Sequence, residues 1–174
     1  RTAAMSHSVN TSSPYWFALR TRSRHEKVVR DRLEGSGFEQ FLPLRRTLRQ
    51  WSDRKTWTEF PLFSGYCFAR FAWHSRLDVL RIPGIINIVG IEGPEPIPEE
   101  ELDALKTVYK SQRVCDSHAY LNEGTWVQVV RGPLTGIRGQ FIRKAGQDCI
   151  VLRVKLLQQA AAVHIDASEV VGVC

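Results

Sequence analysis

The chain has 174 residues, with 24 Lys and Arg against 18 Asp and Glu, and its formal net charge is +6 at pH 7. This length fits one medium domain or two small ones, and the excess of cations favours an anionic partner such as nucleic acid. No apolar run reaches the ~20 residues of a membrane span, and four scattered cysteines without a Cys-x-x-Cys motif indicate neither a zinc site nor a disulfide framework. We therefore expect a cytoplasmic monomer with reduced thiols.

Residues 14–110 alternate between strand and helix patterns, after a Ser/Thr-rich segment, 1–13, that we predict to be disordered. The first helix begins with Ser23-Arg24-His25-Glu26, which reads as a capping box. The polar, basic run 45–59, which contains two tryptophans, predicts an extended hairpin or a loop. Compact apolar runs predict the strands, and amphipathic spacing predicts the helices: strands at 15–19, 38–44, 62–71 and 85–89, and helices from Ser23 to Gly35, at 73–82 and from Pro98 onward.

The last third of the chain has the pattern of a small all-β domain. Periodicity is lost over 111–122, which predicts a linker. Gly124 to Val129 then alternates as a half-buried strand does, and the Gly- and Pro-rich run 130–139 predicts a tight hairpin with a basic tip. We expect an α+β fold: an antiparallel sheet flanked by helices in 14–110, and an SH3-like β-barrel in 123–174.

Several motifs follow one another in a distinctive order along the chain. Those of the first part of the chain are Trp16-Phe17, Arg22-Ser23-Arg24-His25-Glu26-Lys27, Phe41-Leu42-Pro43-Leu44, Trp51-Ser52-Asp53-Arg54-Lys55, Pro61-Leu62-Phe63-Ser64-Gly65-Tyr66-Cys67-Phe68, Pro83-Gly84-Ile85 and Pro96-Ile97-Pro98. The barrel hairpin from Val129 to Gly139 resembles a KOW domain. From Pro14 onward the chain thus resembles the NusG family of transcription elongation and antitermination factors, with an N-terminal NGN domain and a KOW domain. Within the family it is most similar to specialised paralogs of the UpxY type. It departs where the family's Phe-Pro-Gly-Tyr is Phe63-Ser64-Gly65-Tyr66.

The resemblance implies two partner surfaces on the N-terminal part. An apolar depression would bind the clamp helices of RNA polymerase, and its residues would be Tyr66, Phe68, Leu102 and Leu105; the alternative is that all four are ordinary core. A basic and aromatic surface would face the non-template strand and the upstream DNA, with a solvated basic face as the alternative. Its residues would be Arg20, Arg22, Arg24, Lys27, Arg49, Trp51, Arg54 and Lys55, together with His74, Ser75, Arg76 and Arg81, where the sequence-reading paralog RfaH contacts DNA.

For the KOW domain, the resemblance implies either the termination factor Rho or a small-subunit ribosomal protein as a partner. Leu157 is the candidate contact residue, and burial inside the barrel is the alternative. RfaH refolds this domain as a helical hairpin. The β-rich runs at 127–130 and 150–154 argue against such a switch here, although 156–163 alone would tolerate a helix.

The sequence offers little for catalysis. Its five histidines are scattered, and it has no P-loop, Gly-x-Ser-x-Gly or dinucleotide motif. We therefore predict a non-enzymatic protein without a cofactor or a metal. The resemblance implies a transcription elongation factor that acts as an operon-specific antiterminator. A general NusG-like factor that assists Rho-dependent termination and a ribosome-associated, RNA-binding KOW protein are the alternatives.

Overall fold

A computed structural model describes residues 12–121 and 124–173, which form two compact units. The first unit comprises the described residues up to Leu42 and Phe63–Pro98, and the second comprises Pro43–Leu62 and the chain from Glu99 onward. Our domain bounds of 14–110, 111–122 and 123–174 follow motifs rather than packing, and they stay predictions. The predicted disorder of 1–13 lies almost wholly outside the described residues.

The elements follow one another in the predicted alternation. In chain order they are β1 (Pro14–Thr21), α1 (Glu26–Gly35), β2 (Glu39–Phe41), β3 (Leu44–Trp51), β4 (Arg54–Pro61), β5 (Tyr66–Ala72), α2 (Arg76–Leu80), β6 (Ile85–Ile88), α3 (Glu99–Ser111), β7 (Cys115–Ala119), β8 (Thr125–Val129), β9 (Arg138–Lys144), β10 (Gln147–Val154), β11 (Gln159–His164) and β12 (Val170–Gly172). Among the described residues, none of these helices has the length and apolarity needed to cross a membrane.

The first unit is built on an antiparallel sheet with the strand order β2-β5-β1-β6. The apolar run of β1 is buried because β1 lies inside the sheet, between β5 and β6. The Phe17 ring stacks on the Phe71 ring with 4.7 Å between centroids. Helix α1 buries Val29 and Leu33 completely, and their four-residue spacing places them on one stripe of the helix. This core supports the strand ends that carry the candidate site.

In the second unit, β3 and β4 form a hairpin, which confirms the hairpin alternative for this basic segment. The two strands make a separate two-stranded sheet, paired from Leu44 opposite Pro61 to Trp51 opposite Arg54. A two-residue turn closes the hairpin, and Ser52 takes a φ of 45° there.

The C-terminal strands form a six-stranded antiparallel sheet in the order β12-β8-β9-β10-β11-β7, as expected for a small barrel. Ile150 and Leu152 of β10 belong to a core cluster that also contains Val108 of α3, and Cys149 and Val151 belong to a second cluster. Adjacent residues of a strand point to opposite faces of the sheet. Because the two clusters take alternate residues of β10, this strand is buried on both of its faces. Two of the three glycines of the predicted turn have the expected positive φ, with values of 83° at Gly132 and 96° at Gly136, whereas Gly139 lies in β9 without one.

Two segments differ from their local sequence patterns. The stretch without periodicity contains a strand, β7, which pairs with β11. As an edge strand it needs no continuous apolar face, and Asp116, Ser117 and Ala119 are exposed. The stretch 156–163, which would tolerate a helix, contains the end of a single 3₁₀ turn, Lys155–Leu157, and most of it forms β11. Gln158, with a φ of 51°, precedes that strand in a left-handed conformation that a right-handed helix cannot contain.

Candidate functional site

Glu26 links the start of α1 to the turn before β5. The capping box predicted here is wrong, because His25 is the N-cap residue and no side chain caps the helix. Instead, Glu26 Oε1 accepts a hydrogen bond of 2.8 Å from the Gly65 amide, and Glu26 is 6% exposed. A buried carboxylate and a turn amide satisfy each other in this bond. The contact therefore connects the Arg22–Lys27 motif with the Ser64-Gly65-Tyr66 motif.

Backbone hydrogen bonds bring a third motif to the same place. The Thr21 amide donates to the Gly65 carbonyl at 2.8 Å, and the Arg22 amide donates to the Gly84 carbonyl at 2.8 Å. The end of β1, the turn before β5 and the Pro83-Gly84 turn are thus held together by bonds between residues far apart in the sequence.

Four exposed cations lie on this junction: Arg20, Arg22, Arg24 and Lys27. In the antiparallel register of β1 and β5, Arg20 is directly opposite Tyr66, so the two side chains share one face of the sheet. We call these four cations and Tyr66 the junction surface. The structure therefore brings a predicted polymerase contact and the first group of predicted DNA contacts together.

Tyr66 and Phe68 share a sheet face but differ in exposure. Tyr66 is half-buried. Phe68 is fully buried, and its ring centroid lies 6.3 Å from those of both Phe41 and Phe63. In this conformation Tyr66 is accessible to a partner, whereas Phe68 is part of the aromatic core beneath the sheet face.

Leu102 and Leu105 are both on α3 and both buried, at 0% and 2% exposure. Helix α3 belongs to the second compact unit. There Leu105 borders a cavity of about 470 Å³, whose lining also includes Leu44, Val108 and Tyr109. The polymerase-binding role of these residues stays a prediction, and the cavity is the place where an inserted apolar side chain would reach Leu105.

The residues predicted around α2 are partly engaged within the chain. Arg76 donates a hydrogen bond of 3.2 Å to the Trp73 carbonyl, and its guanidinium carbon lies 5.1 Å from the centroid of the Trp73 ring. Arg81 forms an exposed ion pair with Asp78 at 3.6 Å, and His74 is also exposed, whereas Ser75 is half-buried. Arg81 and His74 are therefore the accessible members of this group.

The predicted hairpin residues are all exposed on the β3–β4 ribbon: Arg49, Trp51, Arg54 and Lys55. Sequence reasoning missed their neighbours Trp57 and Leu48, which lie opposite each other and are 59% and 46% exposed. The sequence signal that could have identified them was the strand register of the hairpin. Counting outward from the Ser52-Asp53 turn pairs these two residues across the strands.

On the barrel, Leu157 is only 6% exposed, which favours the alternative that it is buried, although its partner-binding role stays a prediction. The barrel is tied to the segment after α3 by Arg113, whose Nη1 and Nη2 donate to the two Glu169 carboxylate oxygens at 2.9 and 2.7 Å. This pairing holds the pKa of Glu169 below its ordinary value. Within the described residues, no group of three or more His, Cys, Asp or Glu side chains could hold a metal ion.

These features define an α+β protein of two compact units, each of which exposes cations close in sequence or register to aromatic side chains. Residues 14–106 match the model of a family described as NusG, transcription termination factor. The match covers more than half of the sequence, and the chain belongs to the NusG family.

Three solved structures are similar to this chain to different degrees. A Thermotoga maritima structure described as "Domain interaction in Thermotoga maritima NusG" has a TM-score of 0.57 and 18% identity, over 92% of this chain and 97% of the other, which indicates a shared fold. Two crystal structures of the MjSpt4:Spt5 complex match at 18% and 19% identity over 91% of this chain and 96% and 97% of the other chains, with TM-scores of only 0.31 and 0.32. No curated protein matches the chain significantly.

Proposed function

We propose that this NusG-family transcription elongation factor binds the clamp helices of RNA polymerase and lies beside the upstream DNA and the non-template strand. The observation that carries this is the junction surface, where Tyr66 is directly opposite Arg20 and three more exposed cations follow between the end of β1 and the first turn of α1. An aromatic side chain can anchor a protein partner, and adjacent cations bind phosphates. A factor at the boundary between a polymerase and its DNA needs both.

The polymerase contact is centred on Tyr66. Tyr66 is two residues from Phe68 on the same face of β5, and Phe68 packs in a buried aromatic cluster with Phe41 and Phe63. Truncation of such an anchor costs about 2 kcal/mol or more of binding free energy. The other two residues proposed for polymerase binding, Leu102 and Leu105, belong to the second unit and are buried; there, the cavity beside Leu105 would receive a partner side chain.

The DNA contact is spread over three segments that carry exposed cations. The junction surface, the accessible residues around α2 and the distal part of the hairpin each offer at least one cation to phosphates. These contacts would orient the protein on the nucleic acid without reading its sequence. Recognition of a particular operon would require base contacts in addition.

The predicted outcome of binding is suppressed pausing or termination at particular operons, by a protein that performs no chemistry itself. The KOW domain would recruit a second partner, either Rho or a small-subunit ribosomal protein, through the turn that contains Leu157. A general role in Rho-dependent termination is the alternative, and the family's description as a termination factor supports it. The match of residues 14–106 favours either of these over a ribosome-associated KOW protein.

Single-round transcription with purified bacterial RNA polymerase tests this function. The unmutated chain should shorten pauses and raise readthrough at terminators. Tyr66→Ala should abolish the effect, whereas Tyr66→Phe, which keeps the ring, should retain it. Increased termination when Rho is added would assign the general role instead. An unmutated, folded chain that changes neither pausing nor termination, with or without Rho, would contradict the proposed function.

A further inference from the structure

A groove in the second unit lies between α3 and the barrel strands β8 to β10. Its volume is about 730 Å³, which is within the range of small-molecule sites. The buried Ile137 and Leu152 and the half-buried Ala104 and Trp126 form its apolar part. Both sides of the groove belong to the same compact unit. We call it the α3–barrel groove.

The charged residues of the groove are sorted by sign. Its three carboxylates are all on α3, and its three cations are all on the barrel: Glu100, Glu101 and Asp103, and Arg138, Arg153 and Lys155. Of the salt bridges within the described residues, none involves any of these side chains. The lining is therefore neutral as a whole, although the chain has a net charge of +6. Such a lining complements a ligand with a positive end and a negative end, and its carboxylates would repel a polyanion such as nucleic acid.

One charge on each side of the groove is held in place. Glu101 Oε1 accepts a hydrogen bond of 3.0 Å from the Lys155 amide. Burial raises the pKa of Glu101 above its ordinary value, so the positive end of a ligand would stabilise its charged form. On the barrel side, Arg153 Nη1 donates to the Leu121 carbonyl at 3.3 Å, and the guanidinium carbon lies 4.9 Å from the centroid of the Trp126 ring. A ligand therefore meets charges that are already positioned, which lowers the cost of ordering them on binding.

We propose that the α3–barrel groove binds a zwitterion in which an ammonium and a carboxylate are separated by an aliphatic chain. The ammonium would contact the carboxylates of α3, the carboxylate would contact the cations of the barrel, and the methylene groups would cover the apolar part between them. A free ω-amino acid and the C-terminal lysine of a peptide share this chemistry. The site is independent of the polymerase and DNA contacts of the proposed function.

An NMR titration of the full-length chain with 6-aminohexanoate tests the site. We expect saturable shifts of the Trp126 indole N–H and the Lys155 amide at millimolar ligand. Hexanoate and hexylamine each keep only one charged end, and they should bind more weakly by about fivefold or more. A folded chain that shows no saturable shifts with 6-aminohexanoate would overturn the proposal. Equal affinity for hexanoate or hexylamine would also overturn it, because only one charge of the ligand would then be recognised.

Charge-neutralising variants locate the binding. Glu101→Gln keeps an oxygen acceptor for the Lys155 amide and removes the charge, and it should weaken 6-aminohexanoate binding by about fivefold. Asp103→Asn, at an exposed position, repeats the test without touching that hydrogen bond, so an altered fold in Glu101→Gln leaves the question decidable. The matched control is Glu99→Gln, which is exposed on the same helix but does not line the groove. An equal loss of affinity in the control would mean general electrostatic attraction and would overturn the site.

The cationic side is tested in the same way. Arg138→Gln should weaken binding by about fivefold, whereas Arg143→Gln, which is exposed on the same strand outside the groove, should not. Equal effects of the two variants would contradict the assignment of the carboxylate end. Tyr66→Ala should bind 6-aminohexanoate like the unmutated chain, so this site and the polymerase contact can fail separately.

Two peptides distinguish the sources of the ligand. Acetyl-Gly-Lys with a free C-terminal carboxylate presents both charges, and its C-terminal amide presents only the ammonium. Tighter binding of the free acid than of 6-aminohexanoate identifies the C-terminal lysine of a protein as the ligand, and the reverse order identifies a free ω-amino acid. Equal affinity for the acid and the amide would show that the carboxylate is not recognised, which would overturn the proposal.

Discussion

The ion pair between Arg113 and Glu169 should be a major determinant of the barrel's stability. It joins the segment after α3 to the turn before β12, and its two hydrogen bonds are 2.9 and 2.7 Å long. The side chains are only 23% and 16% exposed. Glu169 Oε1 also accepts from the Asp166 amide at 3.2 Å, so a change at Glu169 disturbs the turn as well. We expect Glu169→Gln to destabilise the barrel.

The expected cost is about 2 kcal/mol in the free energy of unfolding. Hydrogen bonds to charged groups contribute ~1.5–3 kcal/mol each, and the remaining solvent exposure of this pair places the net effect near the lower end. Arg113→Met should cost a similar amount. The cost of the double variant should be smaller than the sum of the two single costs by ~1 kcal/mol or more, because each single change already removes the shared hydrogen bonds.

Urea denaturation followed by NMR of the barrel amides measures this, since it reports on the barrel separately from the first unit. The matched control is Arg46→Met. Arg46 pairs with Glu59 at 3.5 Å, and the two side chains are 64% and 44% exposed, so its loss should cost less than ~1 kcal/mol. A cost for Glu169→Gln no larger than that of the control, or strict additivity with Arg113→Met, would refute the reasoning.

The same pair predicts a pH dependence. Because the pKa of Glu169 is lowered in the folded state by its hydrogen bond with Arg113, its contribution to stability is complete above the unfolded pKa of about 4.3. The contribution is lost as the pH falls through the lower, folded pKa. The difference between the unmutated chain and Glu169→Gln should therefore be constant near neutrality and shrink below about pH 4. A difference that grows on acidification would contradict this assignment.

Three further predictions concern single sites. Ala145 has a φ of 52° in the β9–β10 turn, so Ala145→Asn, which tolerates this region better, should stabilise the barrel by about 0.5–1 kcal/mol in thermal denaturation; a lower melting temperature would contradict this. Glu26→Ala leaves the Gly65 amide without its carboxylate acceptor and should destabilise the first unit by about 2 kcal/mol in urea denaturation. Glu26→Gln, which keeps an oxygen acceptor, should cost less. Equal costs of the two variants would show that the acceptor is unimportant. Burial raises the pKa of the Cys67 and Cys115 thiols to about 12, so iodoacetamide at neutral pH should alkylate them only after unfolding; rapid labelling of the folded chain would refute this.

The sequence predicts those elements of the fold that depend on local patterns. Apolar runs predict the strands of the first unit, and a basic run with turn residues predicts the hairpin. Each of these signals lies within a few residues of the element that it predicts. Edge strand β7 escapes detection because an edge has no continuous apolar face to leave a pattern. Likewise, the Glu26 motif reads as a capping box locally, whereas the carboxylate is used by Gly65, 39 residues away.

The candidate site was predictable in composition but not in arrangement. Motif order identified Tyr66 and Arg20, but only the register of β1 and β5 places them opposite each other. The exposure of these side chains could not be predicted from the sequence. Phe68 and Leu157 were apolar candidates for partner contacts, and both are buried. Burial of a side chain depends on elements distant in sequence, and the local pattern of one sequence gives no register between such elements.

Binding of the full-length chain to the isolated clamp-helix fragment of RNA polymerase tests the central claim most directly. The account predicts saturable binding that Tyr66→Ala weakens about tenfold or more, which corresponds to roughly 1.4 kcal/mol, while Tyr66→Phe binds nearly as well as the unmutated chain. Equal affinity of the unmutated chain and Tyr66→Ala, with both folded, would contradict the placement of the polymerase contact at the junction surface.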